Sequence, residues 1–382
     1  MKPSRSTTHH RRNRHMKKLL SVLLACGILA SVLTGCGDTA STLASIPSQT
    51  SAAVGGGDND LTVIRAAVMP QQLSLPLYYI SQQGWDVENG FKLELTTFQS
   101  GAPMNEALGA GLWDIATIGA AGVLSCSVYD AVHIMSHEDS SGGIDFMIRP
   151  DSELAQTKGY NPDYPDVYGT PETIKGATFM FPIGSGHHLL LGEYLKIFGL
   201  TEADISMVNM DHAAGYQAFV SGQGDLSATA YPTTDTYLKE GYISAVSMNT
   251  AKCPYYDNIV VNRTFYDDEN NREALVALLK QMLHCADVFQ DEDILLDAMM
   301  EWYETNGQQV VREEIRNQVL ERPFLTVSDY ESSDSTASFK RIAEFYVTNG
   351  QISQEDLEKV FANIQTDLLN QAIEEYKQEY SK

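Results

Sequence analysis

The sequence is poor in basic residues. Its 26 lysines and arginines stand against 50 aspartates and glutamates, and the formal net charge is −24. A surface of that sign repels nucleic-acid phosphates and anionic lipid head groups, so we expect no nucleic-acid partner. Cysteine is also scarce, with five residues and no CxxC pair or metal-ligand spacing, so no metal or cofactor site is predicted. The chain also lacks an uncharged apolar run near the N-terminus of the roughly 20 residues that a spanning helix needs.

The N-terminus carries a shorter apolar run with a basic flank. Residues 19–33 are uncharged, and they are preceded by Arg11, Arg12, Arg14, Lys17 and Lys18. The run ends in Leu33-Thr34-Gly35-Cys36, an order that resembles the signal peptides of bacterial lipoproteins. We expect residues 1–35 to be removed and Cys36 to be lipidated, which would tether the protein to the extracytoplasmic face of the cell membrane. The alternative is a plain secretory signal, cleaved near Ala40, that removes Cys36.

The segment after Cys36 has no hydrophobic period. Residues 38–60 are rich in serine, alanine, glycine and threonine, which is typical of a flexible tether, so order is predicted from Leu61. Beyond the tether three cysteines remain, Cys126, Cys253 and Cys285. Their spacing leaves open whether two of them form a disulfide or all three stay reduced and buried.

Strands and helices alternate from Leu61 onward. Apolar or alternating runs predict strands at 61–68, 91–98, 114–118, 133–136 and 145–148, with helices at 75–83 and 103–112 between the first three. This order with short turns predicts a parallel sheet covered on both faces.

A second α/β unit follows a polar, proline-bearing surface excursion at residues 151–168. Its strands are predicted at 177–181, 206–210 and 226–230, and its helices at 189–198 and 213–221. After about Met248 the pattern is mostly helical, with helices at 272–289, 291–306, 308–319, 336–349 and 354–380. We therefore expect an α/β protein of two lobes. The first comprises residues 61–148 and 250–382, and the second comprises residues 149–249.

The loops at the strand ends are the predicted ligand site. In open parallel sheets, ligands bind beyond the carboxyl ends of the strands, where helix N-termini present unpaired N–H groups. The candidate ligand-binding residues are Gln71, Leu75, Tyr78, Ser100, Gly101, Gly119, Ala120, Asp139, Gly184, Ser185, His187, Asp211 and Tyr231. Asp114 and Asp225 precede equivalent strands in the two halves, and they are predicted to cap or pin the backbone rather than to touch ligand.

The order of several short motifs carries a family resemblance. The first half contains Gly84-Trp85, Gly90-Phe91-Lys92-Leu93, Ser100-Gly101, Gly111-Leu112-Trp113-Asp114 and Gly119, and the second contains Ile174-Lys175-Gly176, Gly184-Ser185 and Gly222-Gln223-Gly224-Asp225. This ordered set resembles the nitrate/sulfonate/taurine type of solute-binding protein, in the pyrimidine-synthase-like superfamily. The resemblance implies a type II periplasmic-binding fold, with two α/β lobes of parallel-type sheets joined by a two-crossover hinge. It also implies delivery of a captured small molecule to an ABC permease. A monomer with a helical C-terminal tail is expected.

The loops contain few basic residues, and this bears on the ligand. Glu138, Asp139, Asp211 and the tyrosines favour a neutral or cationic heteroaromatic or amine, whereas a sulfonate or nitrate anion would depend on helix N-termini and hydroxyls. The chain has no cysteine-rich iron site like that of the pyrimidine synthase and no Gly-x-Ser-x-Gly elbow, so a binding protein is predicted rather than an enzyme. A ligand-sensing lipoprotein without a transport role is the remaining alternative.

Overall fold

The computed structural model describes residues 61–231 and 233–380, all within one compact unit. The predicted signal peptide, the lipidated Cys36 and the tether to residue 60 lie outside the described residues. The strands are β1 Thr62–Val68, β2 Phe91–Thr97, β3 Ile115–Ile118, β4 Val132–Asp139, β5 Asp145–Ile148, β6 Thr178–Phe181, β7 Ser206–Asn209, β8 Leu226–Thr229, β9 Ile243–Ser247 and β10 Tyr256–Val261.

Helices connect these strands and form the C-terminal region. They are α1 Leu75–Gln83, α2 Trp85–Glu88, α3 Gly101–Gly109, α4 Gly122–Val128, α5 Pro171–Ile174, α6 Gly186–Ile197, α7 His212–Val220, α8 Thr233–Lys239, α9 Arg263–Tyr266, α10 Arg272–Val288, α11 Glu292–Thr305, α12 Arg312–Leu320, α13 Val327–Ser332, α14 Ala337–Thr348, α15 Gln354–Ala362 and α16 Asp367–Tyr380. The predicted helix at 75–83 has the observed bounds. The excursion at 151–168 holds a 3₁₀ turn at Glu153–Gln156 and an isolated antiparallel bridge between Lys158 and Tyr168.

Each lobe has one five-stranded sheet, and the two sheets share a topology. The first sheet has the order β2-β1-β3-β10-β4, and the second has the order β7-β6-β8-β5-β9. In each sheet four strands run in the same direction, while the fifth, β10 or β5, pairs antiparallel with both of its neighbours. The expected parallel-type sheets are therefore mixed, because each of them contains one antiparallel strand.

The antiparallel strands are those that have just crossed between the lobes. The chain passes from β4 in the first sheet to β5 in the second, and it returns from β9 to β10. The first crossover therefore occupies residues 140–144, whereas the predicted lobe boundary after residue 148 left β5 with the first lobe. Residues 256–261 were expected to belong to a helical region, but their β-branched end pairs between β3 and β4 instead.

Two aspartates pin equivalent places in the two sheets, as predicted. Asp114 accepts hydrogen bonds from the backbone N–H of Arg65 at 2.9 Å and from its guanidinium at 3.0 and 2.5 Å. Asp225 accepts one from the backbone N–H of Thr178 at 2.8 Å. In each case the carboxylate ties the start of one strand to its neighbour in the sheet, which confirms the structural role.

The C-terminal helices cover both faces of the first sheet. Helices α10, α11 and α16 enclose one core with α1, while α14 and α15 pack against α4 on the opposite face. Alternate residues of β1 serve the two cores, because Ile64, Ala66 and Val68 face one side and Ala67 the other. The single helix predicted at 354–380 is divided, since Ile364 leaves the helical path to bridge His133 of β4. Among the described residues, no helix is long and apolar enough to cross a membrane.

Candidate functional site

The carboxyl ends of the parallel strands in the two sheets meet around Tyr255, at the end of the second crossover. The Tyr255 hydroxyl accepts a hydrogen bond from the backbone N–H of Ala120, with a distance of 2.7 Å. Its ring lies against Gly186, where an added Cβ would be 3.1 Å from the ring carbons. An added Cβ at Gly119 would be only 2.5 Å from the same hydroxyl. The predicted loops after β3 and β6 are therefore brought together, with a tyrosine between them that the sequence patterns did not single out.

The loop after β6 prepares the N-terminus of α6. Gly184 has a φ of +83°, a left-handed conformation that favours glycine, and its carbonyl accepts a hydrogen bond from Tyr346 of α14. Ser185 is the N-cap, and its hydroxyl accepts from the backbone N–H of His187 at 3.2 Å. Two predicted site residues thus shape the first turn of α6, and one also contacts the C-terminal region.

The predicted site residue His187 is buried, and its side chain contacts other parts of the second lobe. Its Nε2 lies 2.8 Å from the carbonyl oxygen of Thr229, and its Nδ1 lies 3.3 Å from Nε2 of His212. Burial, together with the neighbouring His212, lowers the pKa of His187 to about 3. The imidazole is therefore neutral, and both of its nitrogens already have partners.

Tyr231 and Asp139 shape the first crossover. The Tyr231 ring packs on Gly143, and its hydroxyl donates to Glu321 at 2.9 Å. Asp139 accepts from the backbone N–H of Ser141 at 3.0 Å and from the Ser141 hydroxyl at 2.5 Å. Both residues therefore lie where the chain passes between the lobes, and Tyr231 also joins the second lobe to the segment after α12.

Asp211, Ser100 and Gly101 stand at helix starts. Asp211 is exposed and caps α7 by accepting from the N–H of Ala214 at 2.7 Å. Ser100 is exposed and makes no capping bond to α3, whereas Gly101 packs closely on Ala121 at the start of α4. Asp211 therefore stabilises a helix, and the charge selectivity predicted for it has no support from its contacts.

Three predicted residues of the β1–α1 region lie away from the strand-end loops or contribute only backbone. Leu75 is fully buried in the apolar core. The Tyr78 ring packs against Trp302 with 4.8 Å between centroids and the ring planes tilted by 38°, and the Tyr78 hydroxyl shares hydrogen bonds with α11. Gln71 offers its carbonyl oxygen to the Trp302 indole N–H at 3.0 Å. Helix α11, which is remote in sequence, packs on α1 and buries the face of α1 that was expected to contact ligand.

A buried ionic cluster lies at the carboxyl end of β4. Arg322 places Nε 3.0 Å from Oε1 of Glu138 and Nη2 3.1 Å from Oδ2 of Asp257, and Nη2 donates to Ser140 at 2.7 Å. All four side chains are buried. Burial raises the pKa of Glu138 to about 8, with Asp257 adding to the rise and Arg322 opposing it. Sequence patterns pointed to Glu138 but missed its partners, because Arg322 comes from the distant helical region.

The segment that carries Arg322 lies along the outer edge of β4. The backbone N–H of Leu325 donates to the carbonyl of His137, and that of Asp139 donates to the carbonyl of Pro323, both at 2.9 Å. The Gln72 amide donates to the carbonyls of Val319 at 3.2 Å and Arg322 at 2.7 Å. We call residues 318–325 the strap. It covers the edge strand of the first sheet and contacts Tyr231 of the second lobe through Glu321.

A second concave region lies on the flank of the two lobes. A groove of about 930 Å³ runs between α6 and α14, and it includes Lys252 and Cys253 of the second crossover. At one end, His188 Nε2 lies 3.0 Å from Oε1 of Glu202, and Gln351 donates to His188 Nδ1 at 3.1 Å. None of the predicted ligand-binding residues lines this groove.

The comparisons with known proteins agree with this architecture. No family model matches the chain. A protein of Brachyspira hyodysenteriae, provisionally named an ABC transporter periplasmic binding protein, is 33% identical over 332 residues, which cover 87% of this chain and 94% of the relative.

Solved structures share the fold at low identity. The aliphatic sulphonate-binding protein SsuA of Escherichia coli superposes with a TM-score of 0.60 at 17% identity, covering 78% of this chain and 91% of its own. The nitrate-binding protein NrtA of Synechocystis PCC 6803 gives 0.61 at 12% identity, with coverages of 84% and 89%. A sulfonate-binding SsuA of Methylobacillus flagellatus gives 0.62 at 17% identity, with coverages of 84% and 97%.

Two lobes with matching mixed sheets and two crossovers define a periplasmic-binding fold, in agreement with the resemblance. The sequence identity of 33% to the Brachyspira relative, over 87% of this chain, shows the family to which the chain belongs. It belongs to the ABC transporter periplasmic binding proteins, which bind a small molecule and act with a permease. It is therefore a binding protein and not an enzyme.

Proposed function

We propose that this protein is a lipid-anchored receptor that captures a small organic solute between its two lobes and delivers it to an ABC import permease. The observation that carries the proposal is the meeting of the two sets of strand ends at Tyr255, which contacts Ala120 of one lobe and Gly186 of the other. Contacts of this kind can form or break as the lobes rotate about the two crossovers.

The proposed mechanism is a shift between open and closed lobes. An open form admits solute to the loops after β1, β3, β6 and β8, and the bound solute favours closure because it contacts both lobes at once. The loops after these strands and the tyrosine rings would supply contacts. The permease then distinguishes the closed surface from the open one.

Release of a bound molecule tests the capture. The full chain is purified from its native cells without added ligand, then denatured, and the released molecules are analysed by mass spectrometry. We expect one small organic solute in near-equimolar amount. Its rebinding to refolded protein, measured by calorimetry, should contract the protein in small-angle X-ray scattering. A chain that releases no solute and never contracts contradicts the proposal.

The anchor is tested separately at Cys36. Cells that express the chain are labelled with a clickable palmitate analogue, and Cys36→Ser is compared with wild type and with the control Cys26→Ser. We expect label in wild type, loss of label in the Cys36 variant and little change in the control, since Cys26 lies inside the apolar run. Label that survives Cys36→Ser contradicts lipidation at that residue.

Transport and sensing give different phenotypes. A receptor that delivers solute to a permease is required for uptake of the released molecule in radiolabelled form, so deletion of the chain should abolish high-affinity uptake. Normal uptake with an altered transcriptional response would favour the ligand-sensing lipoprotein. An anion as the released molecule would instead favour the sulfonate or nitrate receptor of the same class.

A further inference from the structure

The end of α14 contacts the second lobe, although the helix itself is fixed to the first lobe. The Phe339 ring of α14 stacks on His133 of β4, with 4.3 Å between centroids. At the end of α15, the Asn363 amide donates to the carbonyl of Cys126 in α4 at 3.2 Å. The helices on both sides of residues 345–351 are therefore held by the first lobe. We call residues 345–351 the α14 tip.

The α14 tip packs against α6 and against the loop that precedes it. The Tyr346 hydroxyl donates to the carbonyl of Gly184. The Phe345 ring lies so close to α6 that a Cβ added at Gly192 would be 2.6 Å from a ring carbon. A glycine therefore stands in α6 at the place where the Phe345 ring reaches the helix, and its missing side chain permits the approach.

Side-chain hydrogen bonds extend this contact. The Gln351 amide donates to Nδ1 of His188 at 3.1 Å, and the Asn349 amide donates to Oε1 of Glu202 at 3.0 Å. Nδ1 of His188 also accepts from the backbone N–H of Gly184 at 3.3 Å, so the ring proton is at Nε2, which lies 3.0 Å from Glu202 Oε1. These bonds connect the first lobe to the first turn of α6 and to the segment that follows this helix.

The contacted part of α6 is also the part that is expected to meet solute. Gly184 and the N-cap Ser185 follow β6, and ligands bind beyond the strand ends in open α/β sheets. Gly186 packs on the Tyr255 ring between the lobes. The α14 tip therefore holds a loop whose distance from the first lobe changes when the lobes rotate.

The distance of the α14 tip from the second crossover makes its contacts sensitive to rotation. The earlier part of α14 is tied to that crossover, because Arg341 donates to the carbonyl of Pro254 at 2.9 Å. Asn349 follows Arg341 by eight positions, which corresponds to about 12 Å along a helix. A rotation of about 15° moves a point at that distance by about 3 Å, which is enough to break a hydrogen bond.

The contact between α6 and α14 is also small. Beside it, the groove of about 930 Å³ separates the two helices along the flank, and the charged side chains of Glu193, Lys196 and Glu344 line it. Opening at this place therefore requires the loss of the Phe345 contact and of a few hydrogen bonds, and not the exposure of an extensive apolar interface.

We propose that the α14 tip is an interlobe latch, which holds the two lobes closed in the absence of solute. The inference rests on the proposed solute-receptor function and deepens it, because it assigns the balance between open and closed lobes to residues of the C-terminal region. If solute binds the closed form, a larger closed fraction raises its apparent affinity in proportion. The latch thus lowers the share of binding free energy that the solute has to supply for closure.

Interlobe distances in the solute-free protein test the latch. The full chain is refolded without added solute, and pulsed electron paramagnetic resonance measures the distance between two spin labels. The labels are attached at Gln99→Cys and Val208→Cys, exposed positions near the carboxyl ends of β2 and β7. Opening should separate these positions, because β2 and β7 are the edge strands farthest from the strands that enter the crossovers. The chain without the two added cysteines gives the background.

The variants remove the hydrogen bonds of the latch and leave its backbone in place. Tyr346→Phe removes one hydroxyl, the pair Asn349→Ala and Gln351→Ala removes two amides, and a combined variant carries all three changes. Gln371→Ala is the matched control, because this exposed glutamine of α16 bonds only side chains of the first lobe, those of Arg272 and Glu375. Circular dichroism and melting temperature establish that each variant is folded.

Wild type should give mainly the short interlobe distance. Each hydrogen bond removed should raise the ratio of long to short distances about fivefold, and the combined variant should raise it about a hundredfold, because such bonds contribute modestly and nearly independently. Gln371→Ala should change the ratio less than about twofold.

The inference is overturned if the folded latch variants keep the distances of wild type, or if wild type already shows the long distance. Should the combined variant fail to fold, the pair Asn349→Ala and Gln351→Ala decides, since both side chains are only partly buried. Unchanged distances would leave the solute-receptor function standing as long as a solute is released. Absence of any released solute counts against that function and not against the latch.

Discussion

The Tyr255 hydroxyl accepts the backbone N–H of Ala120 across 2.7 Å, and this bond joins the second crossover to the loop after β3. The residue that closes the space between the lobes therefore belongs to the hinge and not to either set of strand-end loops. Because the Tyr255 ring also packs on Gly186, rotation of the second lobe has to move Gly186 away from the ring. Tyr255 is thus placed to report on closure.

Removing this hydroxyl should destabilise the protein. Tyr255→Phe leaves the buried N–H of Ala120 without an acceptor, and such a loss costs about 1–3 kcal/mol. The free energy of unfolding from urea denaturation measures it. Tyr160→Phe is the control, because Tyr160 is half exposed and its hydroxyl has no partner among the described hydrogen bonds. Equal stabilities of the two variants would contradict a working Tyr255–Ala120 bond.

Truncation of Arg322 should be more severe. Arg322→Ala leaves the buried Asp257 without its cation and the Glu138 carboxyl without its neighbour at 3.0 Å, and breaking a buried pair from one side costs about 3–5 kcal/mol. The same change at Arg316, whose pairing with Glu292 is exposed, should cost less than about 1 kcal/mol.

The Arg322→Ala vacancy also allows chemical rescue. Methylguanidine at millimolar concentration should raise the melting temperature of Arg322→Ala but not that of wild type or Arg316→Ala, because only the first has a buried site for a guanidinium between the carboxyl groups of Glu138 and Asp257. If methylguanidine does not change the melting temperature of Arg322→Ala, the space left by the Arg322 side chain is filled by rearrangement of its neighbours.

Glu138 gives stability a specific pH dependence. Arg322, Asp257, Asp139 and Ser140 face it, and burial raises its pKa to about 8 from an ordinary value of 4.5. The folded chain therefore holds a proton that the unfolded chain has lost between about pH 4.5 and 8, so this contribution is complete at low pH and falls as the pH rises. The slope is at most about 1.4 kcal/mol per pH unit.

The measurement is a difference between two proteins. Buried histidines such as His187 change stability in the opposite direction below about pH 6.5, since burial lowers the pKa of His187 to about 3. Subtracting the urea-derived free energy of Glu138→Gln from that of wild type at each pH removes their contribution. The difference should decline from pH 5 to pH 8, and a flat difference would mean that Glu138 is ionised throughout.

Much of the fold could be predicted from local pattern. Helix 75–83 and the strand starts at Phe91 and Ser206 follow from hydrophobic period and glycine punctuation, which act over a few residues. Strand β10 could not be predicted in this way, because it begins with polar residues. Asn258 is buried only because Ser136 donates to it at 2.8 Å and His133 lies 3.0 Å away, and both belong to a distant strand.

Within the candidate site, too, only the residues that follow local patterns could be predicted from the sequence. Gly119, Ala120, Gly184 and Ser185 could be found, because they follow apolar strands directly. The residues that contact the site, such as Tyr255 and Arg322, come from far along the chain. Their position depends on which sheet edge the later segments cover, and the local sequence pattern does not indicate that edge.

The three described cysteines should remain unreactive in the folded protein. Cys126, Cys253 and Cys285 are buried and unbridged, and burial raises the pKa of each thiol, that of Cys126 to about 12. Thiolate is the reactive form, so alkylation by iodoacetamide should be slow in native protein and fast in urea.

Cys253 should react first of the three, because it borders the open groove and Arg341 lies 3.6 Å from its sulfur, which favours thiolate. Mass spectrometry of the alkylated peptides over time gives the order, with Cys285 as the fully buried reference. A disulfide-linked peptide, or faster labelling of Cys285 than of Cys253, would contradict the arrangement described.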